Sequence, residues 1–218
     1  MAKSIAILGI GRFGLSVAKT LFQLGHQVLA VDADEARIKA VDGYVTHTVQ
    51  ADTTDERALS QLGIRNFDFV VISMGDDIRS SILTTVLCKE QGAKYIVAKA
   101  SDGLHAKLLY KTGADKVVQP ESEAGIRLAK SLVSDNIIDY LDLSEEYSVH
   151  EIRIPKAWIG QNLATLDVRS KYDVSVIGIR RQSDIIVALD PNQPLMAGDV
   201  IIMIGSNTGF KQICKLKS

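Results

Sequence analysis

The sequence predicts an α/β protein with a doubly wound parallel sheet, a crossover helix and a small C-terminal α+β lobe. Two observations in the first 120 residues predict the sheet: short β-branched runs alternate with helical patterns, and a glycine motif directly follows the first run. The third observation is a change of pattern near residue 148, after which strand-like runs have few long helices between them. With 218 residues, the chain can form one domain of ordinary size and a smaller one.

Strands and helices are predicted in alternating order over residues 1–120. Glycines such as Gly25 and Gly63 separate them, as expected at helix ends and turns. Ligands of such sheets bind at the carboxyl ends of the strands, where the topology reverses. The predicted strands are Ser4–Leu8, Gln27–Val31, Tyr44–Val49, Asp68–Ile72, Lys94–Ala98 and Asp115–Val118, and the predicted helices are Arg12–Leu24, Glu35–Val41, Asp55–Leu62, Asp77–Gln91 and Gly103–Thr112.

The segment Gly9-Ile10-Gly11-Arg12-Phe13-Gly14 has GxGxxG spacing and lies between a strand and a helix. Gly9 allows the tight turn, Gly11 lets the backbone approach a pyrophosphate, and Gly14 lets helix and strand pack closely. The helix N-terminus offers N–H groups and a partial positive charge to phosphates. Asp32 follows the second strand, where it would accept hydrogen bonds from ribose hydroxyls and repel a 2′-phosphate. A Rossmann-like nucleotide site is therefore predicted; the alternative is a glycine-rich turn that binds nothing.

Arg12 lies inside the glycine turn, where a phosphate-binding loop needs nothing large. A guanidinium there can fold back on the bound phosphates or project to phosphates held by another subunit. The alternative is a solvated charge at the start of a helix, which the helix dipole disfavours. We therefore interpret Arg12 as a ligand-binding residue.

Residues at the ends of the other strands extend the predicted site. Asp52 can accept the amino group of adenine, or Asp52 or Thr54 can cap the following helix. Gly75 allows close approach of the backbone to a ligand, whereas Lys99 either reaches a phosphate or is an ordinary surface lysine. The residues predicted to bind nucleotide are Gly9, Ile10, Gly11, Arg12, Phe13, Gly14, Asp32, Ala33, Asp34, Asp52, Thr53, Met74, Gly75 and Lys99.

The pattern after Pro120 predicts an amphipathic helix over Glu121–Asn136. The next segment, Ile137–Leu143, is more apolar than a loop should be and needs a partner, either the second domain or a second subunit. The predicted organisation is a nucleotide-binding lobe over residues 1–120, a connecting region over 121–147 and a C-terminal lobe over 148–218; for 121–147, the family resemblance described below implies crossover and dimerisation helices. In that last lobe, strands are predicted at Val149–Ile154, Val174–Arg180, Asp184–Leu189 and Asp199–Ile204, and helices at Leu163–Lys171 and Thr208–Leu216.

The composition argues against several classes of function. A formal net charge of -1 gives no general attraction to nucleic acid or to an anionic membrane. No apolar run approaches the ~18 residues of a membrane helix, and the two cysteines lack CxxC spacing, which favours a cytoplasmic location. His26, His47, His105 and His150 form no recognisable acid–base constellation, and the serine-hydrolase, zinc-protease and Walker motifs are missing. We therefore expect a protein that binds a nucleotide without transforming it.

A resemblance to a known family covers nearly the whole chain and rests on seven strings taken in their order. These strings are Ala6–Gly14, Gly25–Asp32, Leu62–Asp68, Gly113–Glu121, Asn136–Ser148, Leu166–Tyr172 and Gly198–Gly205. They are similar to the RCK domain, the regulator of potassium conductance. Within that family the chain most resembles the cytoplasmic gating subunits of bacterial Ktr potassium transporters, with a looser likeness to TrkA.

The resemblance implies a Rossmann lobe, a tight dimer, and an octameric ring of dimers beneath a membrane subunit that translocates potassium. It implies that ATP, ADP or NAD(H) binds at the glycine turn and that the ring changes shape with the ligand. Arg12 would reach across the dimer to the γ-phosphate of the neighbour's ATP. Glu121 would help to bind a divalent cation, Mg²⁺ or Ca²⁺, at the dimer interface. We accordingly expect a cytoplasmic, non-catalytic regulatory subunit with no nucleic-acid partner, which meets the membrane only through its transporter.

The C-terminal lobe of some relatives binds cyclic di-AMP at a dimer interface, and Val168, Arg169 and Pro191 fall at matching positions. The segment Asp190–Pro194 departs from the family pattern, in which a Ser-Pro pair often precedes this proline. The segment Lys99–Asp102 also departs from the expected Lys-Ala-Gln-Asn, although Lys99 itself matches.

Two functions from other classes compete with this interpretation. One is an NAD-dependent oxidoreductase with an unrecognised substrate lobe, which turnover of NADH would favour. The other is a redox-sensing DNA-binding regulator, which the lack of a helix–turn–helix or a basic stripe disfavours.

Overall fold

The computed structural model describes residues 1–132 and 137–216, which divide into two compact units, Met1–Ser122 and Glu123–Ser218. The predicted fold class is confirmed, because a parallel sheet with helices is followed by a smaller antiparallel sheet. In the described residues, no helix combines the length and apolar character needed to cross a membrane.

The first unit contains six strands and five complete helices, close to the predicted bounds. The strands are β1 (Ser4–Leu8), β2 (Gln27–Asp32), β3 (His47–Gln50), β4 (Phe69–Ile72), β5 (Ile96–Lys99) and β6 (Lys116–Val118). The helices are α1 (Arg12–Gln23), α2 (Glu35–Val41), α3 (Glu56–Leu62), α4 (Ile78–Glu90) and α5 (Gly103–Thr112). A further helix, α6 (Pro120–Leu132), spans the boundary between the units.

All six strands are parallel, in the order β3-β2-β1-β4-β5-β6. The order reverses between β1 and β4, so the chain leaves these two strands toward opposite faces and opens a crevice at their carboxyl ends. Side chains of β1 alternate between the two faces: Ala6 and Leu8 pack in one core, Ile5 and Ile7 in the other. Burial on both faces explains why the central strands β1 and β4 are almost entirely apolar.

Aspartates start four of these helices. The side chains of Asp34, Asp55, Asp77 and Asp102 accept backbone N–H groups of the first turns of α2, α3, α4 and α5. The predicted cap of α3 was wrong, because Asp55 fills that role and neither Asp52 nor Thr54 does. The start of α1 differs, since it has Gly11 at the cap position and no side-chain cap among the described residues.

The second unit is an antiparallel five-stranded sheet in the order β10-β9-β11-β8-β7, with short helices packed on it. Its hydrophobic core includes Trp158, Leu195, Met203 and Phe210, and all four are nearly inaccessible to solvent. The strands are β7 (Ile137–Asp142), β8 (Tyr147–Arg153), β9 (Val174–Arg181), β10 (Asp184–Ile186) and β11 (Val200–Ser206), and the helices are α7 (Leu163–Leu166), α8 (Val168–Tyr172) and α9 (Asn207–Ile213).

The apolar segment Ile137–Leu143 lies where crossover and dimerisation helices were expected, but it contains a strand. Its residues 137–142 form strand β7, which pairs with β8, so the partner of this segment's backbone is a strand of its own unit. The predicted helix Glu121–Asn136 is described as far as Leu132, and residues 133–136 lie outside the described residues.

Three smaller predictions about elements were also wrong. The helix predicted at Leu163–Lys171 is divided into α7 and α8, because Asp167 has a φ of 44° in the left-handed region. The strand predicted at Asp184–Leu189 ends at Ile186, and the strand predicted from Tyr44 begins only at His47.

Two neighbouring arginines on β9 bind carboxylates in different environments. Arg181 donates through Nε and Nη2 to the two carboxylate oxygens of Asp199, at 2.8 and 2.7 Å, and the Asp199 side chain is only 1% exposed. Arg180 binds Glu151 at 2.7 Å, with both side chains about one-third exposed (31% and 32%). Hydrogen bonds from Arg181 and from the Met196 N–H hold the pKa of Asp199 below its ordinary value, against the opposing effect of burial.

We predict that Asp199→Asn lowers the free energy of unfolding of the second unit by about 3 kcal/mol, because it leaves Arg181 without its buried partner. Glu151→Gln is the control, with an expected loss below about 1 kcal/mol because that pair is solvated. Urea unfolding followed by fluorescence of the single tryptophan, Trp158, measures both.

The loss of stability in Asp199→Asn should also depend on pH. A depressed folded-state pKa means that Asp199 contributes fully above the unfolded pKa, about 3.9, and that this contribution is lost as pH falls through the folded value. The stability gap between the unsubstituted chain and Asp199→Asn should therefore narrow below about pH 4. Equal losses for Asp199→Asn and Glu151→Gln, or a gap independent of pH, would contradict the assignment.

Candidate functional site

A cleft of about 350 Å³ lies at the carboxyl ends of the first four strands of the parallel sheet. Its lining comes from the turns after β1, β2, β3 and β4, which converge where the strand order reverses. The lining residues are Gly9, Gly11, Asp32, Ala33, Arg37, Ala51, Asp52, Thr53, Thr54, Ser73, Met74, Gly75, Asp76, Asp77 and Ser80.

The glycine turn is shaped by contacts with β4. Gly9 has a φ of 93°, and its N–H donates to the carbonyl of Val31 at 2.8 Å. The hydroxyl of Ser73 donates to the carbonyl of Gly9, and a Cβ on Gly14 would overlap both of these groups. A Cβ on Gly11 would meet nothing within 4 Å. Packing therefore does not require a glycine at this position, and the missing side chain instead leaves open space in the cleft.

The start of α1 offers unshielded N–H groups beside this turn. The first helical bond joins the Leu15 N–H to the Gly11 carbonyl at 2.9 Å, so the preceding N–H groups of the first turn have no partner inside the helix. No acidic side chain lies in the first turn. Together with the dipole of a 12-residue helix, this arrangement attracts an anion.

Asp32 is buried at the end of β2 and already bonded to the backbone. Its Oδ2 accepts from the Ile10 N–H at 2.6 Å, and its Oδ1 accepts from the Asp34 N–H at 2.9 Å. Nη1 of Arg37 lies 3.4 Å from Oδ2. The carboxylate therefore fixes the glycine turn and the entry to α2 before any ligand is present.

The turn after β3 presents one carboxylate and one buried hydroxyl. Oδ1 of Asp52 accepts from the hydroxyl and the N–H of Thr54, at 2.7 and 2.8 Å, and these bonds lower the pKa of Asp52. Thr53 is only 4% exposed, and its hydroxyl lies 3.4 Å from both the Met74 sulfur and the Thr84 hydroxyl. Asp52 is thus ionised and held in place at the cleft wall.

Lys99 ends β5 and does not line the cleft itself. Its Nζ is 2.7 Å from a carboxylate oxygen of Glu121, and its stem lies against Gly75, where a Cβ would come within 3.1 Å of it. The Lys99 ammonium, with smaller contributions from Glu121's own N–H and from Arg12, holds the pKa of Glu121 below its ordinary value. Lys99 therefore pairs directly with Glu121, and Arg12 of the glycine turn adds a weaker electrostatic effect on the same carboxylate.

The divalent cation expected at Glu121 is not supported by the residues of one chain. Among the described residues, no three His, Cys, Asp or Glu side chains lie close enough together to hold a metal ion. Glu121 contributes a single carboxylate, and an ammonium group already occupies it. A cation at this position would need oxygen ligands from elsewhere.

The structure separates the predicted nucleotide-binding residues into two groups. Those that line the cleft are Gly9, Gly11, Asp32, Ala33, Asp52, Thr53, Met74 and Gly75. Those that stand behind or beside the lining are Ile10, Arg12, Phe13, Gly14, Asp34 and Lys99. Of the second group, Ile10 holds Asp32, Asp34 caps α2, and Gly14 permits the close packing at Gly9.

Sequence reasoning missed several lining residues, and Arg37 is the most consequential. Four carboxylates line the cleft, those of Asp32, Asp52, Asp76 and Asp77, and Arg37 is the one basic side chain among the lining residues. The available signal was its position three residues after Asp34, which returns its side chain to the first turn of α2.

A second cavity, of about 280 Å³, lies in the C-terminal unit. Val168 and Arg169, two of the residues matched to a cyclic di-AMP site, line it together with Leu163, Asp167, Ser175 and Val176. Pro191 is exposed and does not line it, although its carbonyl accepts the Ala164 N–H at 2.9 Å.

Comparisons with known proteins agree with this architecture. The TrkA-N domain family model matches residues 5–120, and the TrkA-C domain model matches residues 149–218. The chain is 40% identical to Ktr system potassium uptake protein C of Bacillus subtilis, over 99% of this chain and 97% of that one. It is 37% identical to Ktr system potassium uptake protein A of Vibrio alginolyticus, again over 99% and 97%.

Solved structures show the same fold at lower sequence identity. The chain superposes on the GsuK channel with a TM-score of 0.74 at 15% identity, covering 99% of this chain and 39% of that one. It also superposes on a GsuK channel bound to NAD with a TM-score of 0.70 at 14% identity, covering 100% of this chain and 40% of that one. The resemblance drawn from the sequence is confirmed: the chain belongs to the RCK family of TrkA-N and TrkA-C domain proteins, together with the Ktr system potassium uptake proteins.

Proposed function

We propose that the protein is the nucleotide-responsive regulatory subunit of a potassium uptake system, with ATP and ADP as its principal ligands and NAD(H) as the alternative. The observation that carries this proposal is the cleft at the strand reversal, which combines an open glycine turn, an uncapped helix start and a buried carboxylate. The full-length similarity to Ktr proteins supplies the physiological context.

The cleft suits an adenine nucleotide with its phosphates over the start of α1. The open space at Gly11 and the N–H groups of the first turn would receive the pyrophosphate. Asp32 would bind the ribose, while Asp52 would accept the amino group of adenine with Thr53 beside it. Met74 and Gly75 would form the wall opposite, at the end of β4.

Regulation requires a ligand that binds two shapes of the assembly with different affinities. ATP and ADP share the base, the ribose and two phosphates, so only contacts to the third phosphate can distinguish them. In the proposed dimer, Arg12 reaches the γ-phosphate of the neighbour's ATP. Dimers would join in an octameric ring, which transmits the change to a membrane potassium-translocating subunit from the cytoplasmic side.

Two further ligands belong to the proposal. A Mg²⁺ or Ca²⁺ ion would bind Glu121 only together with ligands from the nucleotide or a second chain, because one chain supplies a single carboxylate. Cyclic di-AMP would bind beside Val168 and Arg169 at a contact between C-terminal lobes, with Pro191 at its edge.

Calorimetric titration with ATP, ADP, NADH and cyclic di-AMP, with and without Mg²⁺ or Ca²⁺, tests the proposed function. ATP and ADP should bind without hydrolysis, and a cation should increase the preference for ATP. Binding confined to NAD(H) would overturn ATP and ADP as the principal ligands, and turnover of NADH with a candidate substrate would contradict the regulatory role.

We predict that Gly11→Ala weakens both ATP and ADP binding at least tenfold, because its methyl group enters the space for the pyrophosphate. The fold should lose only about 0.5 kcal/mol, since the change replaces glycine by alanine at a helix cap. Gly103→Ala is the matched control, because a Cβ there also meets nothing within 4 Å and it lies outside the cleft lining. Unchanged nucleotide affinity in Gly11→Ala would overturn the assignment of the phosphate site.

A second variant tests ATP recognition. Arg12→Ala should weaken ATP binding about tenfold more than ADP binding, because it removes a charge-assisted hydrogen bond that only a triphosphate can accept. Arg57→Ala removes an exposed arginine in the first turn of α3, outside the cleft lining, and should leave the ratio of the two dissociation constants unchanged. Equal losses for ATP and ADP in Arg12→Ala would rule out the proposed contact.

A further inference from the structure

The guanidinium of Arg37 lies between two carboxylates at the wall of the nucleotide cleft. Its Nη1 is 3.4 Å from Oδ2 of Asp32, and its Nε is 3.6 Å from Oδ2 of Asp34. Both distances are long for charge-assisted hydrogen bonds, and the Arg37 side chain is 54% exposed. Most of its five N–H donors therefore remain available to a ligand in the cleft.

The bonds already made by Asp32 limit how it can hold a ribose. A carboxylate oxygen has two acceptor positions. Those of Oδ2 face the Ile10 N–H and Arg37, while one position of Oδ1 is used by the Asp34 N–H. If the long contact to Arg37 is counted as an occupied position, one acceptor position remains, on Oδ1, and a ribose hydroxyl would donate there. The other hydroxyl of the ribose, or a substituent on it, would then meet the guanidinium of Arg37.

Arg37 offsets part of the negative charge at this end of the cleft. Asp32 alone would repel a 2′-phosphate strongly, as the sequence predicts. Arg37 compensates one of the two carboxylates beside it and can pair with a phosphate in the two-pronged geometry that arginine favours.

Building on the proposed function, we propose that Arg37 is a specificity-determining residue that admits 2′-phosphorylated adenine nucleotides, such as NADPH, to this cleft together with their 2′-hydroxyl counterparts. The hydroxyl form uses the remaining acceptor position of Asp32, and the phosphate form uses the donors of Arg37. Removing the guanidinium leaves the negative charge of the carboxylates uncompensated. The affinity for the 2′-phosphorylated ligand should therefore fall more than the affinity for the 2′-hydroxyl ligand.

Calorimetric dissociation constants for NADH and NADPH test this inference. In the unsubstituted protein NADPH should bind within about tenfold of NADH, because Arg37 offsets the repulsion by Asp32. Arg37→Gln should widen the ratio by a further factor of about ten, the value of one charge-assisted hydrogen bond, chiefly through weaker NADPH binding. Arg37→Lys, which keeps the charge without the planar fork, should fall between the two.

Lys39→Gln is the matched control on the same helix. Lys39 is exposed and pairs with Glu35 at 2.7 Å outside the cleft lining, so its loss removes the same charge without touching the ligand. An unchanged NADPH-to-NADH ratio in Arg37→Gln, or an equal change in Lys39→Gln, would overturn the role of Arg37. If the unsubstituted protein binds none of ATP, ADP and NADH, the proposed function fails as well, whereas NADH binding with an unmoved ratio refutes Arg37 alone.

Discussion

The cleft depends on the close approach of α1 to the ends of β1 and β4. Gly14 has no side chain at the point where the carbonyl of Gly9 and the hydroxyl of Ser73 meet, so the helix start can lie directly above these strands. Asp32 then ties the turn to β2 through the Ile10 N–H. These contacts place the first-turn N–H groups of α1 at the strand reversal, beside the turns that line the cleft.

The parts of the site that local sequence encodes were predictable. A turn that needs a positive φ at Gly9 and no side chain at Gly14 can be formed by few sequences, and the strand and helix around it have clear patterns. Ser73 and Arg37 were not predictable in the same way. Ser73 acts through a contact between residues 64 apart in the sequence, and Arg37 matters through the two acids that it joins.

Strand β7 shows why the crossover region was harder to interpret. Its sequence, Ile-Ile-Asp-Tyr-Leu-Asp, lacks the alternation of a half-buried strand, and the pairing with β8 shifts register between Ile137 and Asp139. A register shift of this kind interrupts the regular pairing of a strand, and the sequence pattern here does not predict one. The break between α7 and α8 was also not predictable from the pattern. The segment reads as one helix, but Asp167 has a positive φ that interrupts it.

The division between lining and neighbouring residues bears on how such a site would control a partner. Residues that hold the base, ribose and first two phosphates contribute equally to ATP and ADP, and a contribution shared by both ligands cannot shift a conformational equilibrium between them. Under the proposed function, the discriminating energy must therefore come from groups beside the cleft. Arg12, Lys99 and Glu121 are candidates, because Lys99 and, more weakly, Arg12 lower the pKa of Glu121 and none of the three lines the cleft. A third phosphate would compete with Glu121 for the two cations, and this exchange of partners is a physical route from ligand identity to a change in the assembly.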